Sequence, residues 1–477
     1  MIETDIPARL DRLPWSRFHR LLVVALGVTW ILDGLEATIV GSIGAVLESP
    51  TTLGLTAYQV GLAGTLYLAG AIGGALLFGY LTDRLGRKRL FTVTLGIYLG
   101  GAVLTACAWD FWSFVLFRVV TGMAIGGEYS AINSAIDEFI PARIRGQVDL
   151  LINGSYWIGA AAGAAASLVL LDPHFVPVQL GWRLSFGLGG LVGGAMVLAR
   201  RYVPESPRWL LAHGRRTEAE VIMARIEAEV VESGQGQGLT PITQQIRVYP
   251  GAHISMRTIV QTLFVRYRSR AFLGLVLIAS QAFFYNGIFF TYPLVLNRIF
   301  GVPAERVGLY ILFFAVANFL GPLMLGRWFD SIGRRAMIST TYAISGLIII
   351  ITNLFFLQGQ LTAASQTLGW SITFFFASAA ASAGYLTVSE IFPLEMRALA
   401  IALFYAIGTA IGGLGAPAFF GFLIEQHDSR ALFNGYLLGA VLMLIAAGVE
   451  LFCGVASERK PLEEIATPLT MEPPTQK

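Results

Sequence analysis

Two motifs each occur twice in this chain, and that repetition limits the fold more than any other feature. GYLTDRLGRKR at 79–89 returns as GRWFDSIGRR at 326–335, so Asp83, Gly86, Arg87 and Lys88 recur as Asp330, Gly333, Arg334 and Arg335. EFIPARIR at 138–145 returns as EIFPLEMR at 390–397, and both read Glu-x-x-Pro-x-x-x-Arg. Two independent motifs repeated about 250 residues apart describe a chain built from two similar halves.

What separates the motifs is apolar. Runs long enough to cross roughly 30 Å of hydrocarbon at about 1.5 Å per helical residue lie at 21–47, 58–81, 90–108, 112–136, 147–171, 181–200, 271–299, 305–329, 336–357, 366–391, 397–424 and 430–455. A chain that is 55% hydrophobic and 13% charged is no ordinary soluble enzyme. The expected fold is an all-α membrane protein with twelve transmembrane helices in two pseudo-symmetric six-helix bundles. The expected parts are a cytoplasmic N-terminal segment (1–20), an N-terminal bundle (21–200), a cytoplasmic loop with short amphipathic helices (201–270), a C-terminal bundle (271–455) and a cytoplasmic tail (456–477).

Charge sets the expected orientation. With both termini in the cytoplasm, 28 of the 33 Lys and Arg residues fall on that side, only Arg183, Arg298, Arg306 and Arg430 fall outside, and Arg118 lies within a helix. The net charge of +3 then reports topology, with no implication of nucleic-acid binding. The first run is too long for a signal-peptide core, no small-residue cleavage site precedes it, and it reads as a retained signal-anchor. Cys107 and Cys453 end helices at opposite faces, so no disulfide is expected.

Small residues four apart, as in Gly70/Gly74, Gly122/Gly126, Gly159/Gly163 and Gly408/Gly412, predict close helix packing. In the long break at 201–267, PESPRWLLAHGRRTEAEVIMARIEAEVVES predicts amphipathic helices on the inner membrane surface, and GQGQG at 234–238 predicts a flexible joint. The polar, Pro-rich stretch after 456 predicts disorder.

Charge inside the bilayer costs about 2.5–3.5 kcal/mol on insertion scales, so ionisable residues within spans are functional candidates. Asp33 and Glu36 in helix 1 share a face, about 20–25 Å from the cytoplasmic edge by helical rise. Arg118 in helix 4 falls at a similar depth, which leaves one base between two acids. A carboxylate in a low-dielectric site beside another carboxylate holds its proton more readily, and a nearby arginine opposes this. That is the chemistry of a proton-coupled carrier; a static structural ion pair is the alternative. Glu128, lower in helix 4, suits either a structural network or gating.

Within its spans the second half offers uncharged polarity instead: Gln281, Tyr285, Asn286, Thr291 and Tyr292 in helix 7, Asn318 in helix 8, Tyr385 and Thr387 in helix 10. Amides and hydroxyls among aromatic rings orient small polar ligands; for any one of them helix–helix hydrogen bonding is the commoner role, and the cluster in helix 7 favours a ligand there. The candidate substrate-binding set is Asn153, Tyr156, Gln281, Tyr285, Asn286 and Tyr385.

The repeated motifs predict a gate. Asp83, Arg87, Glu138 and Arg145 from one half and Asp330, Arg334, Glu390 and Arg397 from the other would pair when the cytoplasmic face is closed and separate when it opens. The bland alternative is basic loops obeying the positive-inside rule, with acids capping turns.

On these residues the chain resembles the major facilitator superfamily over nearly its full length: GYLTDRLGRK and its copy, RVVTGMAIGGEYSAINSAIDEFIPARIRG, PESPRWL and SEIFPLEMR carry the resemblance. PESPRWL and the paired Glu-x-x-Pro-x-x-x-Arg turns are similar to the sugar-porter and metabolite:proton symporter branches. That resemblance implies a helix 1 acid paired with a helix 4 arginine, at positions matching Glu36 and Arg118. DGLEATIVG is similar to the Asp-Gly-x-Asp of aromatic-acid:proton symporters, with Glu36 in place of the second Asp. Gln281 is what remains of a paired Gln, with Asn286 and Pro293 at the family spacing. Asn153 stands where a Gln is usual, Tyr385 where a Trp is usual, and the ending survives only as SERKPLEEI.

The expected function is secondary transport of a small polar metabolite, organic acid or sugar, by alternating access with proton symport. A proton-driven exporter, an uncoupled facilitator and a transporter-like nutrient sensor are the alternatives. No phosphate-binding GxxxxGK[ST], metal cluster or nucleophile–base pair occurs, so neither an enzyme nor a cofactor is expected. The expected partners are solute, protons and lipid; the expected setting is the inner membrane, with a monomer as the family-like default.

Overall fold

The computed structural model describes residues 2–200, 202–233, 245–248, 256–289, 291–426 and 428–469. Twelve spanning helices follow the apolar runs. The first six are Arg17–Leu47, Ala57–Leu85, Arg87–Ala106, Phe111–Phe139, the pair Arg145–Gly154 and Tyr156–Leu170, and Val178–Arg200. The second six are Arg268–Phe284 continued by Tyr285–Phe289 and Tyr292–Arg298, then Ala304–Ser331, Arg334–Leu357, Ala363–Glu390, Arg397–Gly408 continued by Thr409–Gly413 and Ala416–Glu425, and Ser429–Cys453. We number these helices 1–12. Apart from one antiparallel pair of three-residue strands, Ile2–Thr4 with Ile246–Val248, the described chain is helical.

Lipid gives helices no hydrophobic reason to associate, so close backbone approach has to be built into the surface. Helices 2 and 4 do this reciprocally. A methyl carbon placed on Gly126 would lie 1.9 Å from the carbonyl oxygen of Ala71, and one on Gly74 would lie 2.0 Å from that of Met123. Helices 1 and 5 meet the same way at Gly159, 1.8 Å from the Ile31 carbonyl by the same construction. These glycines are places where two backbones touch.

Helices 5, 7 and 11 are interrupted at mid-length. Ser155 breaks helix 5, its hydroxyl bonding the carbonyls of Ile152 at 2.6 Å and Gly27 of helix 1 at 3.0 Å, a side-chain competition that bends helices. Helices 7 and 11 pass through single π turns, Tyr285–Phe289 and Thr409–Gly413, shortly before Pro293 and Pro417. Proline leaves a carbonyl of the preceding turn without its donor and loosens the ladder there.

The loop and tail differ from expectation. Helices Pro207–Ala212 and Arg216–Glu232 turn their apolar face to protein rather than to lipid. Ala219, Met223 and Val230 are fully buried in a cluster with Ile6 and Leu10 of the N-terminal helix Ile6–Arg12. The expected joint at 234–238 lies outside the described residues. The stretch expected to be disordered is ordered as far as 469: Leu462 and Ile465 are buried, and Glu463 pairs with Arg208 at 3.1 Å.

Candidate functional site

The two halves enclose a cavity of about 190 Å³ at the level of the helix interruptions. Helix 1 contributes Trp30 and Asp33, helix 4 Tyr129, helix 5 Asn153, Tyr156 and Trp157, helix 7 Gln281, Tyr285 and Asn286, and helix 10 Tyr385. All six candidate substrate residues therefore line one space. Thr291, Tyr292 and Thr387 do not: Thr291 and Thr387 bond carbonyls of their own helices, and Tyr292 pairs with Thr367. Asn318 sits behind the wall and accepts the Tyr285 hydroxyl at 3.0 Å.

The ionisable group assembles beside this cavity. Arg118 pairs with Glu36, both nearly fully buried, and the Arg118 guanidinium lies 4.1 Å from the centre of the Tyr67 ring. The second Glu36 oxygen, Oε2, is buried and has no hydrogen-bond partner among the described residues. Asp33, one turn away, faces the cavity and accepts the Tyr129 hydroxyl at 2.5 Å. Glu128 is buried nearer the terminal face and accepts from Thr94 at 3.1 Å. A second, water-sized hollow lies between Asp33 and Glu128, walled by Thr29, Tyr98 and Tyr129.

At the face that carries both termini, the repeated motifs interlock across the halves. Asp83 at the end of helix 2 accepts from the backbone N–H groups of Ala398 at 3.3 Å and Leu399 at 2.9 Å, the first turn of helix 11. Asp330 at the end of helix 8 accepts from Gly146 at 3.0 Å and Gln147 at 2.7 Å, the first turn of helix 5. Each carboxylate thus sits at the positive end of a helix from the opposite half. Arg87 bonds Glu138 at 2.6 Å; Arg334 bonds Asp330 at 2.8 Å and Glu390 at 3.1 Å. Arg145 reaches across to Glu390 at 3.4 Å, and Arg397 lies 4.0 Å from Glu138. Asp83 and Asp330 therefore cap helices, and those caps join the halves.

Several residues of the site went unpredicted. Trp30 lies three positions before Asp33 and shares its face, and Tyr129 adjoins Glu128; the first spacing was readable. Asp137 and Asp149 are fully buried acids behind the repeated motifs, and Asn153 joins Asp149 to the cavity by donating to its Oδ2 at 3.0 Å. Glu205 of PESPRWL accepts from the Arg87 N–H at 2.9 Å, and Glu458 of SERKPLEEI from the Arg334 N–H at 3.4 Å, so each half caps its own motif helix. Burial pushes the Glu205 carboxyl above the usual carboxylate range. The caps follow Gly86 and Gly333, whose φ of +95° and +121° lie in the left-handed region that glycine tolerates.

The pattern for the family described as "Sugar (and other) transporter" matches residues 37–469. The niacin transporter NiaP of Acinetobacter baylyi is 26% identical over 97% of this chain and 99% of its own length. The putative metabolite transport protein YaaU of Escherichia coli is 27% identical over 94% and 93%, and myo-inositol transporter 2 of Schizosaccharomyces pombe 26% over 87% and 76%. Among solved structures, the proton:xylose symporter XylE bound to 6-bromo-6-deoxy-D-glucose superposes with a TM-score of 0.74 at 19% identity, covering 93% of this chain and 98% of that one. Inward-open XylE from E. coli gives 0.62 over the same shares.

Proposed function

This chain belongs to the sugar (and other) transporter family of the major facilitator superfamily, and from that premise we propose that it carries a small metabolite across the inner membrane by alternating access, coupled to protons. The observation that carries the proposal is the Glu36–Arg118 pair set one turn from Asp33 at the wall of the central cavity. A buried ion pair with one uncommitted carboxylate oxygen is a place where a proton can be taken up when Arg118 is drawn away. Asp33 senses the cavity, Glu36 holds or gives up Arg118, and Glu128 lies across the small hollow on the way to the terminal face.

That face is cytoplasmic in this proposal, because it gathers most of the basic residues. Asp83, Asp330 and the four arginines of the gate hold it shut in the conformation described, and the interrupted helices 5, 7 and 11 are where the bundle yields. The relatives named for niacin and myo-inositol support a cargo of similar size.

The test is proton movement. Protein in weakly buffered proteoliposomes is exposed singly to sugars, aromatic acids, small carboxylates and amines while external pH is recorded. Symport predicts a solute-dependent alkalinisation that disappears in Glu36→Gln or Asp33→Asn. Acidification would replace symport by exchange, and flux without any pH change would remove coupling from the account.

A further inference from the structure

The cavity's charge and its committed hydrogen bonds narrow the cargo. Asp33 is the one charged side chain among the described lining residues, and it is 6% exposed. Of the two helix 1 carboxylates, Glu36 has a guanidinium; Asp33 has a neutral phenol. Arg118 is held against Glu36 and under the Tyr67 ring rather than in the cavity. A carboxylate at such depth is neutralised by a proton or by a counter-charge, and the cavity is where a counter-charge can arrive.

Two of the three amides that line the cavity are committed to the protein, and the third, Gln281, pairs with Tyr385 at the wall. The Asn153 amide donates to Asp149 and to Asn133 at 3.0 and 3.2 Å, and the Asn286 amide to the Ala282 carbonyl at 2.8 Å. The Tyr285 hydroxyl is spent on Asn318. Beside Gln281, Ser378, Ser382 and Thr409 the space is walled by rings: Trp30 and Tyr129 stack at 4.8 Å, with Tyr385 edge-on to Trp30 at 6.2 Å and Tyr405 4.7 Å from Tyr129. Ring faces attract cations and pack against flat apolar bodies. A carboxylate-bearing ligand would meet Asp33 with no base beside it in the described lining.

The geometry points to a small organic cation as cargo, a protonated amine or an N-heterocyclic cation on a flat or apolar body, seated with its charge at Asp33 between Trp30, Tyr129 and Tyr385. This rests on the transporter reading of the same cavity and replaces the organic-acid or sugar class with a chemistry the lining can neutralise.

Three ligands with one ring and three charges test it: benzylamine, benzyl alcohol and benzoate. Binding to the purified full-length protein is read from quenching of tryptophan fluorescence, since Trp30 and Trp157 line the cavity. Benzylamine binds about tenfold or more tightly than the other two, as expected for a hydrogen bond to a buried charge. Asp33→Asn removes the advantage of benzylamine over benzyl alcohol. Should Asp33→Asn fail to fold, Tyr129→Phe serves: it deletes the phenol that competes for the carboxylate and increases the preference for benzylamine. Tighter binding of benzoate, an advantage that survives Asp33→Asn or is unmoved by Tyr129→Phe, or no binding by any of the three overturns the assignment. Proton-linked flux of an uncharged solute with no cation binding leaves the transporter reading standing and sinks the cation. Cation binding without flux of any solute does the reverse.

Discussion

Asp83 Oδ2 lies 2.9 Å from the backbone nitrogen of Leu399, in the opposite half of the molecule. Its counterpart Asp330 meets Gln147 at 2.7 Å, so each half contributes one acid and receives one at the same place in its fold. The acid of one repeat thus caps the first turn after the Glu-x-x-Pro-x-x-x-Arg turn of the other, and Arg145 and Arg397 head those turns. The Asp83 and Asp330 caps break together when the halves tilt, because both cross the same seam.

The Glu36–Arg118 pair predicts non-additive stability. Removing one partner of a buried pair costs about 3–5 kcal/mol because the other is left uncompensated. Glu36→Gln and Arg118→Gln each lower the thermal unfolding temperature in detergent, and the double substitution recovers most of the loss. Additive losses would show that the two side chains do not depend on each other.

Helix packing predicts a sharp contrast between glycines. Gly126→Val forces the helix 2 and helix 4 backbones apart and destabilises by at least about 1–3 kcal/mol. Gly96→Ala, with open space around the new methyl, leaves the melting temperature where it was. Equal effects at both positions would remove the close approach from the account.

Much of this was legible beforehand. The repeat marks two halves, the apolar runs mark the spans, and depth counted along helices 1 and 4 sets Asp33, Glu36 and Arg118 at one level; that Glu36 is the acid that takes Arg118 comes only with the family resemblance. Asn153 and Tyr385 could be placed in the cavity through family spacing. What could not be read was direction around a helix axis and chain pairing at a distance. Thr291 and Tyr292 follow Asn286 in sequence, yet the π turn at Tyr285–Phe289 rotates them out of the lining. The order of the tail depends on Glu390, Arg145 and Arg208 as partners, which no local pattern in SERKPLEEI reveals.

The tail is predicted to hold the gate. Ser457 donates to Glu390 at 2.7 Å, and the Lys460 carbonyl accepts from Arg145 at 3.4 Å. Leu462→Ala leaves a hole at a fully buried site and costs about 2–5 kcal/mol. Limited proteolysis of the detergent-solubilised protein should then cut the tail between 456 and 469 faster than in the unsubstituted protein; an unchanged rate would show that the tail is held some other way.

Acid is predicted to loosen the N-terminal helix. Burial pushes the Glu227 carboxyl up, but hydrogen bonds from Arg9 and Arg12 outweigh it and hold it below its usual range. A depressed folded-state value stabilises above the unfolded value of about 4.3, and that contribution is lost as pH falls through the folded value. Cleavage within the loop, slow at neutral pH, rises below the ordinary glutamate range. Glu227→Gln shows the faster cleavage at pH 7 already, and a variant as resistant as the parent at that pH would contradict the assignment.

The account turns on a lock that opens. With Cys107 and Cys453 replaced, spin labels at Lys88→Cys and Ser331→Cys, exposed positions on the same face in opposite halves, report the distance across the seam by double electron–electron resonance. Two distance populations are predicted in the unsubstituted background. Asp83→Asn with Asp330→Asn should move most of the molecules to the longer one. A single distance, unmoved by both substitutions, would mean that these acids do not hold the face that carries both termini shut and that alternating access about this cavity is wrong.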